Sequence, residues 1–123
     1  MVVVKNSLSI ILGGLCTLAF AGRSVMAGDD VPDFNRDIRP ILSENCFHCH
    51  GPDKASRKAK LRLDLETGIF ATRDGMAVVA PSDVEASLLH AMITSDDPDE
   101  IMPPQDSKKK LTSEQIVLLK TWI

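Results

Sequence analysis

Cys46-Phe47-His48-Cys49-His50 places two thiols and two imidazoles within five residues. Two cysteines spaced C-x-x-C and followed at once by histidine read as the attachment site of a c-type haem. Each thiol can add across one vinyl group of the porphyrin, and His50 then sits under the iron as an axial ligand. On a helical turn Cys46, Cys49 and His50 lie three and four residues apart. They project from one side of that turn, as a single flat macrocycle requires. Two other chemistries use such a pair. A thioredoxin-like redox C-x-x-C belongs in a βαβ pattern, and none is visible here. A zinc site needs further ligands at finger-like spacing, and only His48, His50 and the distant His90 are on offer. His48 points away from the iron when His50 points toward it and reads as surface.

A haem with two protein ligands needs a partner for His50 on the opposite face. Met102 is the expected one, because a thioether is a soft, neutral ligand that favours the ferrous state. Pro103 and Pro104 follow it, removing two backbone donors and fixing two φ angles, so the segment carrying the sulfur is stiff. Methionine is more often a core filler. Met92, on an apolar helix face, reads as core. Met76, His90 or an open position are the alternatives for the distal side.

The first 27 residues look disposable. Lys5 makes a basic start, Leu8 to Phe20 is apolar apart from small or weakly polar residues, and Val25-Met26-Ala27 fits a small-residue cleavage site. This reads as a secretory signal peptide over 1–27, leaving the domain at 28–123. The apolar stretch is shorter than a normal spanning helix, so the membrane enters only if the leader stays uncleaved. Leu15, directly before Cys16, argues against a lipid anchor there. Cleavage would leave 96 of 123 residues, with 12 of the 14 basic residues and all 17 acids, a formal charge of −5. That balance argues against nucleic acid as a partner. It would also remove Cys16, leaving Cys46 and Cys49 as the only thiols and no disulfide framework. A 96-residue domain with four Phe, one Trp and no Tyr has little to build a core from, and a buried haem would supply apolar volume.

The elements that must position these residues are mostly helical. Residues 33–46 read as a helix with Ile38, Ile41 and Leu42 on one face, Asp37 as a candidate N-cap, and Gly51-Pro52 stopping the run after His50. A start at Phe34 instead puts Pro40 where it should kink the helix. Residues 53–60 form a polar, basic loop. Leu61 to Leu65 alternates strictly, which fits a short extended piece, and 66–81 looks irregular. Ser82-Asp83-Val84-Glu85 has the pattern of a capping box opening a helix that carries Leu88, Leu89, Met92 and Ile93. Thr112-Ser113-Glu114-Gln115 is a second one, with Leu111 and Ile116 as a hydrophobic staple and Ile116, Leu119 and Ile123 on one face.

Taken in order, Phe34-Asn35-Arg36-Asp37-Ile38-Arg39-Pro40-Ile41-Leu42, Cys46 to Gly51, Leu61-Arg62-Leu63-Asp64, Ser87-Leu88-Leu89, Met102-Pro103-Pro104 and Leu111-Thr112 with Trp122-Ile123 resemble the planctomycete-type cytochrome c domain. The resemblance implies a small all-α, class I-like fold around one covalent haem c, with the first and last helices crossing beside it. It supports Met102 as distal ligand. It also implies an exported, periplasmic electron carrier rather than an enzyme, cycling Fe(III)/Fe(II), and the front part of a longer protein. Its partner would be a redox protein or an attached domain. The rival readings are a haem sensor or peroxidase-like site with an open or labile distal position, and a structural module stapled by its haem. Two charged runs of opposite sign, Lys54 to Arg62 and Asp96 to Glu100, flank the proposed ligands in sequence, so the sign of any docking surface is open. Arg62 or Arg39 is expected to face the haem propionates.

Overall fold

The computed structural model describes residues 31–123. The first winding starts where Asp33 caps the chain, its carboxylate accepting from the Arg36 amide at 2.8 Å. The helix therefore begins earlier than the Asp37 start. Phe34–Ile38 is a π-turn and α1 (Arg39–Asn45) continues from it. Pro40 explains the wide turn, since a proline one turn into a helix lacks an amide and its ring crowds the preceding carbonyls. The kink expected of a Phe34 start is taken up by two i→i+5 bonds, from the Ile38 amide to the Asp33 carbonyl and from the Arg39 amide to the Phe34 carbonyl. Ile38, Ile41 and Leu42 are buried, as their spacing predicts.

α1 breaks at Cys46 and α2 (Phe47–His50) follows directly, ended by Gly51. The next segment folds back over this turn. Lys58 N donates to the Cys49 carbonyl at 2.7 Å and Leu63 N to the His50 carbonyl at 2.8 Å. Those two carbonyls would otherwise be left open at the helix end.

The all-α expectation is overturned. The described residues are 42% helical and contain a two-stranded antiparallel sheet, which a purely helical domain does not have. Strand β1 (Thr72–Arg73) pairs with β2 (Met76–Ala77) in the register Thr72↔Ala77, Arg73↔Met76. Asp74 and Gly75 turn the corner with φ of 50° and 84°. An Asp-Gly pair with both φ positive matches the right-handed twist of a hairpin, so this turn chemistry outweighs the helical context. The alternating run at 61–65 makes no ladder. The Leu63 amide goes to His50 instead, and Leu65 is exposed. A short helix, α3 (Glu66–Ile69), precedes the hairpin within a stretch read as irregular.

The first capping box also fails. Helix α4 spans only Leu88–Ile93. Ser82 sits at φ 65°, outside the extended region an N-cap uses, and its amide donates to the Ile123 carbonyl at 2.6 Å. The serine that counts is Ser87, fully buried, donating to the Asp83 carbonyl at 2.7 Å and accepting from the Ala80 amide at 2.9 Å. A tertiary contact with the end of the last helix thus overrides the local signal.

The second box forms. Thr112 Oγ1 accepts from Gln115 N at 3.2 Å and Gln115 Oε1 accepts from Thr112 N at 3.0 Å, opening α5 (Ser113–Trp122). Leu111, Leu119 and Ile123 are buried, and Ile116 packs on them. Trp122 meets Phe34 with ring centroids 5.5 Å apart, so the last helix packs on the opening turn. Such a pair contributes about 0.5–1.5 kcal/mol beyond its buried area. The core runs from Ile38, Ile41 and Leu42 through Leu63, Val78 and Leu89 to Leu119.

Leu119 is 1% exposed and has no polar alternative for its volume. Leu119→Ala is expected to cost about 2–5 kcal/mol, read as a lower urea midpoint with an unchanged slope.

Candidate haem site

Cys46, Cys49, His50 and Met102 all line one cavity of about 700 Å³. Cofactor sites usually fall between roughly 300 and 1,000 Å³. Its apolar wall includes Leu63, Val78, Leu89 and Ile93, which belong to the core. The cavity is therefore a gap in the core itself.

One helical turn presents the motif. The Cys46 carbonyl accepts from both Cys49 N, at 3.1 Å, and His50 N, at 2.8 Å. Gly51 is required next: a Cβ there would lie 2.1 Å from the Phe47 carbonyl oxygen. Across the cavity, Met102 is held by its amide, which donates to the Met92 carbonyl at 2.9 Å, the end of α4.

The Cys46 thiol and the His50 imidazole are in surroundings that favour their neutral forms. Burial pushes the Cys46 thiol up to about 11, with neighbouring Cys49 adding to the rise. A redox C-x-x-C needs the opposite, a thiol lowered toward neutrality, so the thioredoxin-like alternative loses its chemistry. Burial also lowers the His50 pKa. The Lys58 backbone opposes that effect and the Arg73 charge reinforces it. The neutral ring is the form that can ligate a metal. His50 Nδ1 is buried and accepts or donates no hydrogen bond. A buried polar atom left this way costs about 1–3 kcal/mol unless something else occupies the site. Among the described residues no three or more His, Cys, Asp or Glu side chains are grouped so as to hold a metal ion. Two unbridged thiols, a half-buried imidazole biased toward its neutral form and a largely apolar cavity fit a covalently held haem.

Residues 46–106 match a family model described as planctomycete cytochrome C. This chain carries a planctomycete cytochrome C domain. As such it is a haem c-binding, electron-transfer domain. No curated protein and no solved structure matches the chain.

Within this cytochrome domain the cavity also holds residues that sequence reasoning assigned elsewhere. Met92, read as core, lines it beside Met102, whereas Met76 and His90 do not. Arg62 is not directed at the cavity. It forms a two-pronged pair with Asp64, Nε to Oδ1 at 2.6 Å and Nη2 to Oδ2 at 2.5 Å. Arg39 is also absent from the lining. The half-buried cation there is Arg73, on β1, whose Nη2 donates to the Ala59 carbonyl. Asp74-Gly75 was the available signal for it, since a hairpin at that dipeptide turns residue 73 back against the 58–63 segment. The proposed leader over 1–27 lies outside the described residues. Among the described residues no helix is long and apolar enough to cross a membrane.

Gly51→Ala is expected to be destabilising by about 1–3 kcal/mol or more, because the new Cβ must displace the Phe47 carbonyl. The yield of covalent haem should fall with it, measured by haem-stained gel after denaturation.

Proposed function

We propose that the domain carries single electrons through one covalent haem c, held by Cys46 and Cys49, with His50 and Met102 as its two axial ligands. The observation that carries this reading is that all four residues line one largely apolar cavity in a cytochrome c domain. Each thiol would add its S–H across a vinyl C=C, giving two thioethers with no net oxidation. Once bound, the haem supplies a one-electron iron couple.

The chain's own contribution is to place and insulate. The 58–63 segment pins the carbonyls of Cys49 and His50, so the proximal turn cannot unwind. Leu63, Val78, Leu89 and Ile93 keep water from the interior face. Arg73 holds a fixed positive charge in the wall, where it can balance a haem carboxylate and disfavour extra positive charge on oxidation. With both axial positions filled, the protein needs no substrate pocket or proton donor, which fits a carrier better than an enzyme. The leader over 1–27 would export the domain, 28–123, to the periplasm. There it would exchange electrons with a redox protein or an attached domain of a longer chain.

Met92 is the rival distal ligand, because it lines the same cavity. Met102 is favoured by Pro103 and Pro104, which stiffen its segment. The test uses the full chain matured with covalent-haem machinery. Acid acetone should leave the haem on the protein, and extraction would end the covalent assignment. The ferric methionine–iron charge-transfer band should disappear in Met102→Ala and persist in Met92→Ala. The reverse result would transfer the ligand role, and rapid carbon monoxide binding by the ferrous wild type would favour a sensor. Arg73→Leu is expected to lower the midpoint potential in voltammetry, with Arg73→Lys recovering most of the shift.

A further inference from the structure

Arg57 binds backbone rather than a carboxylate. Its Nε donates to the Gly51 carbonyl at 2.8 Å and its Nη2 to the Pro52 carbonyl at 2.7 Å. These are the two residues that follow His50. The Lys58 and Leu63 amides already hold the Cys49 and His50 carbonyls. Four successive carbonyls, from Cys49 to Pro52, therefore each have a donor from residues 57–63. The first two donors are main-chain amides, which almost any sequence could supply. The last two belong to one side chain.

Local chemistry delivers that side chain. Asp53 follows Pro52 and closes a tight turn on itself. Its Oδ1 accepts from the Ala55 amide at 2.9 Å, its Oδ2 from the Ser56 hydroxyl at 2.7 Å, and its carbonyl from the Arg57 amide at 3.1 Å. The turn brings half-buried Arg57 back over the residues just passed. A guanidinium suits this place because it is planar, permanently charged, and carries its donors in a fixed fork. Arg62, five residues on, has the same group but gives both arms to Asp64.

We propose that Arg57 is the positioning residue of the proximal side, its fork fixing the Gly51-Pro52 turn so that His50 stays on the iron. The inference rests on the haem reading above, with His50 as the proximal ligand. Outer groups that orient a metal-bound histidine ordinarily act on its second ring nitrogen. Here the hold is on the chain immediately behind the ring. It adds a restraint that a four-residue helix cannot supply alone. A histidine whose backbone is fixed on both sides loses little further freedom on ligating, so detachment gains little.

Nitric oxide tests this bond, because it binds ferrous haem on the distal side and weakens the bond opposite. The haem-loaded full chain is reduced and exposed to nitric oxide, and its five- and six-coordinate nitrosyl forms are counted by electron paramagnetic resonance. The wild type is expected to be mainly six-coordinate, with His50 retained. Arg57→Ala should raise the five- to six-coordinate ratio by on the order of tenfold, the lower end of what outer groups contribute to metal affinity. Guanidinium ion, added well below denaturing concentrations, should recover part of that loss. Arg57→Lys keeps the charge but not the fork and should give an intermediate ratio. Lys54→Ala removes a like charge from an exposed position on the same loop and should leave the ratio at its wild-type value. A wild-type ratio in Arg57→Ala, or an equal shift in Lys54→Ala, would overturn the proposal. So would full retention of the wild-type ratio in Arg57→Lys, which decides the matter alone if Arg57→Ala does not fold. A wild-type chain without haem absorption bands, or without histidine nitrogen splitting in its six-coordinate nitrosyl spectrum, would remove the haem reading itself. Those missing signals distinguish that failure from a wrong role for Arg57.

Discussion

Two backbone hydrogen bonds hold the site in place: Lys58 to the Cys49 carbonyl and Leu63 to the His50 carbonyl. A four-residue helix cannot hold itself together, because nearly all its amides and carbonyls are terminal. α2 persists because an adjacent segment supplies donors to its open end and Gly51 lets the chain leave without a clash. The same segment puts Leu63 into the core and Lys58 at the cavity mouth. Orientation of the cysteines, packing of the interior and charge at the entrance thus follow from one strap.

The core around this turn is small and incomplete. Its buried side chains come from short elements, and a gap of about 700 Å³ lies where Cys46, Cys49, His50 and Met102 line one cavity. Small domains gain little from core burial alone. A covalent apolar cofactor filling the gap would add buried surface around the His50 imidazole. Folding and cofactor retention are then two aspects of one packing problem, while the Phe34–Trp122 contact closes the shell by joining the first and last helical segments.

Signals confined to a few neighbouring residues were the easiest to read. The C-x-x-C-H spacing, the Gly51 stop, the Thr112–Gln115 box and the apolar faces of α1 and α5 depend on chemistry within one or two turns, and the structure contains each. The Ser82–Glu85 box was equally local in form but failed, because the end of α5 claims the Ser82 amide. The hairpin lies in the stretch read as irregular, because its two-residue strands are too short to show an alternating pattern.

The candidate site divides along the same line. Sequence by itself determined the type of chemistry, because thioether attachment and axial ligation depend on residue identities at fixed spacing along one turn. It also singled out Met102, through the two prolines beside it. Only the tertiary structure decided that Met92 shares that cavity, that Arg73 rather than Arg62 or Arg39 supplies the interior cation, and that Lys58 and Lys109 meet Asp74 and Asp106 at the entrance. These depend on which distant loops meet around the gap. Helical period and charge order along the chain carry no record of that closure, since Arg62 is spent on its neighbour Asp64 and the acids before Met102 do not line the cavity that Met102 lines.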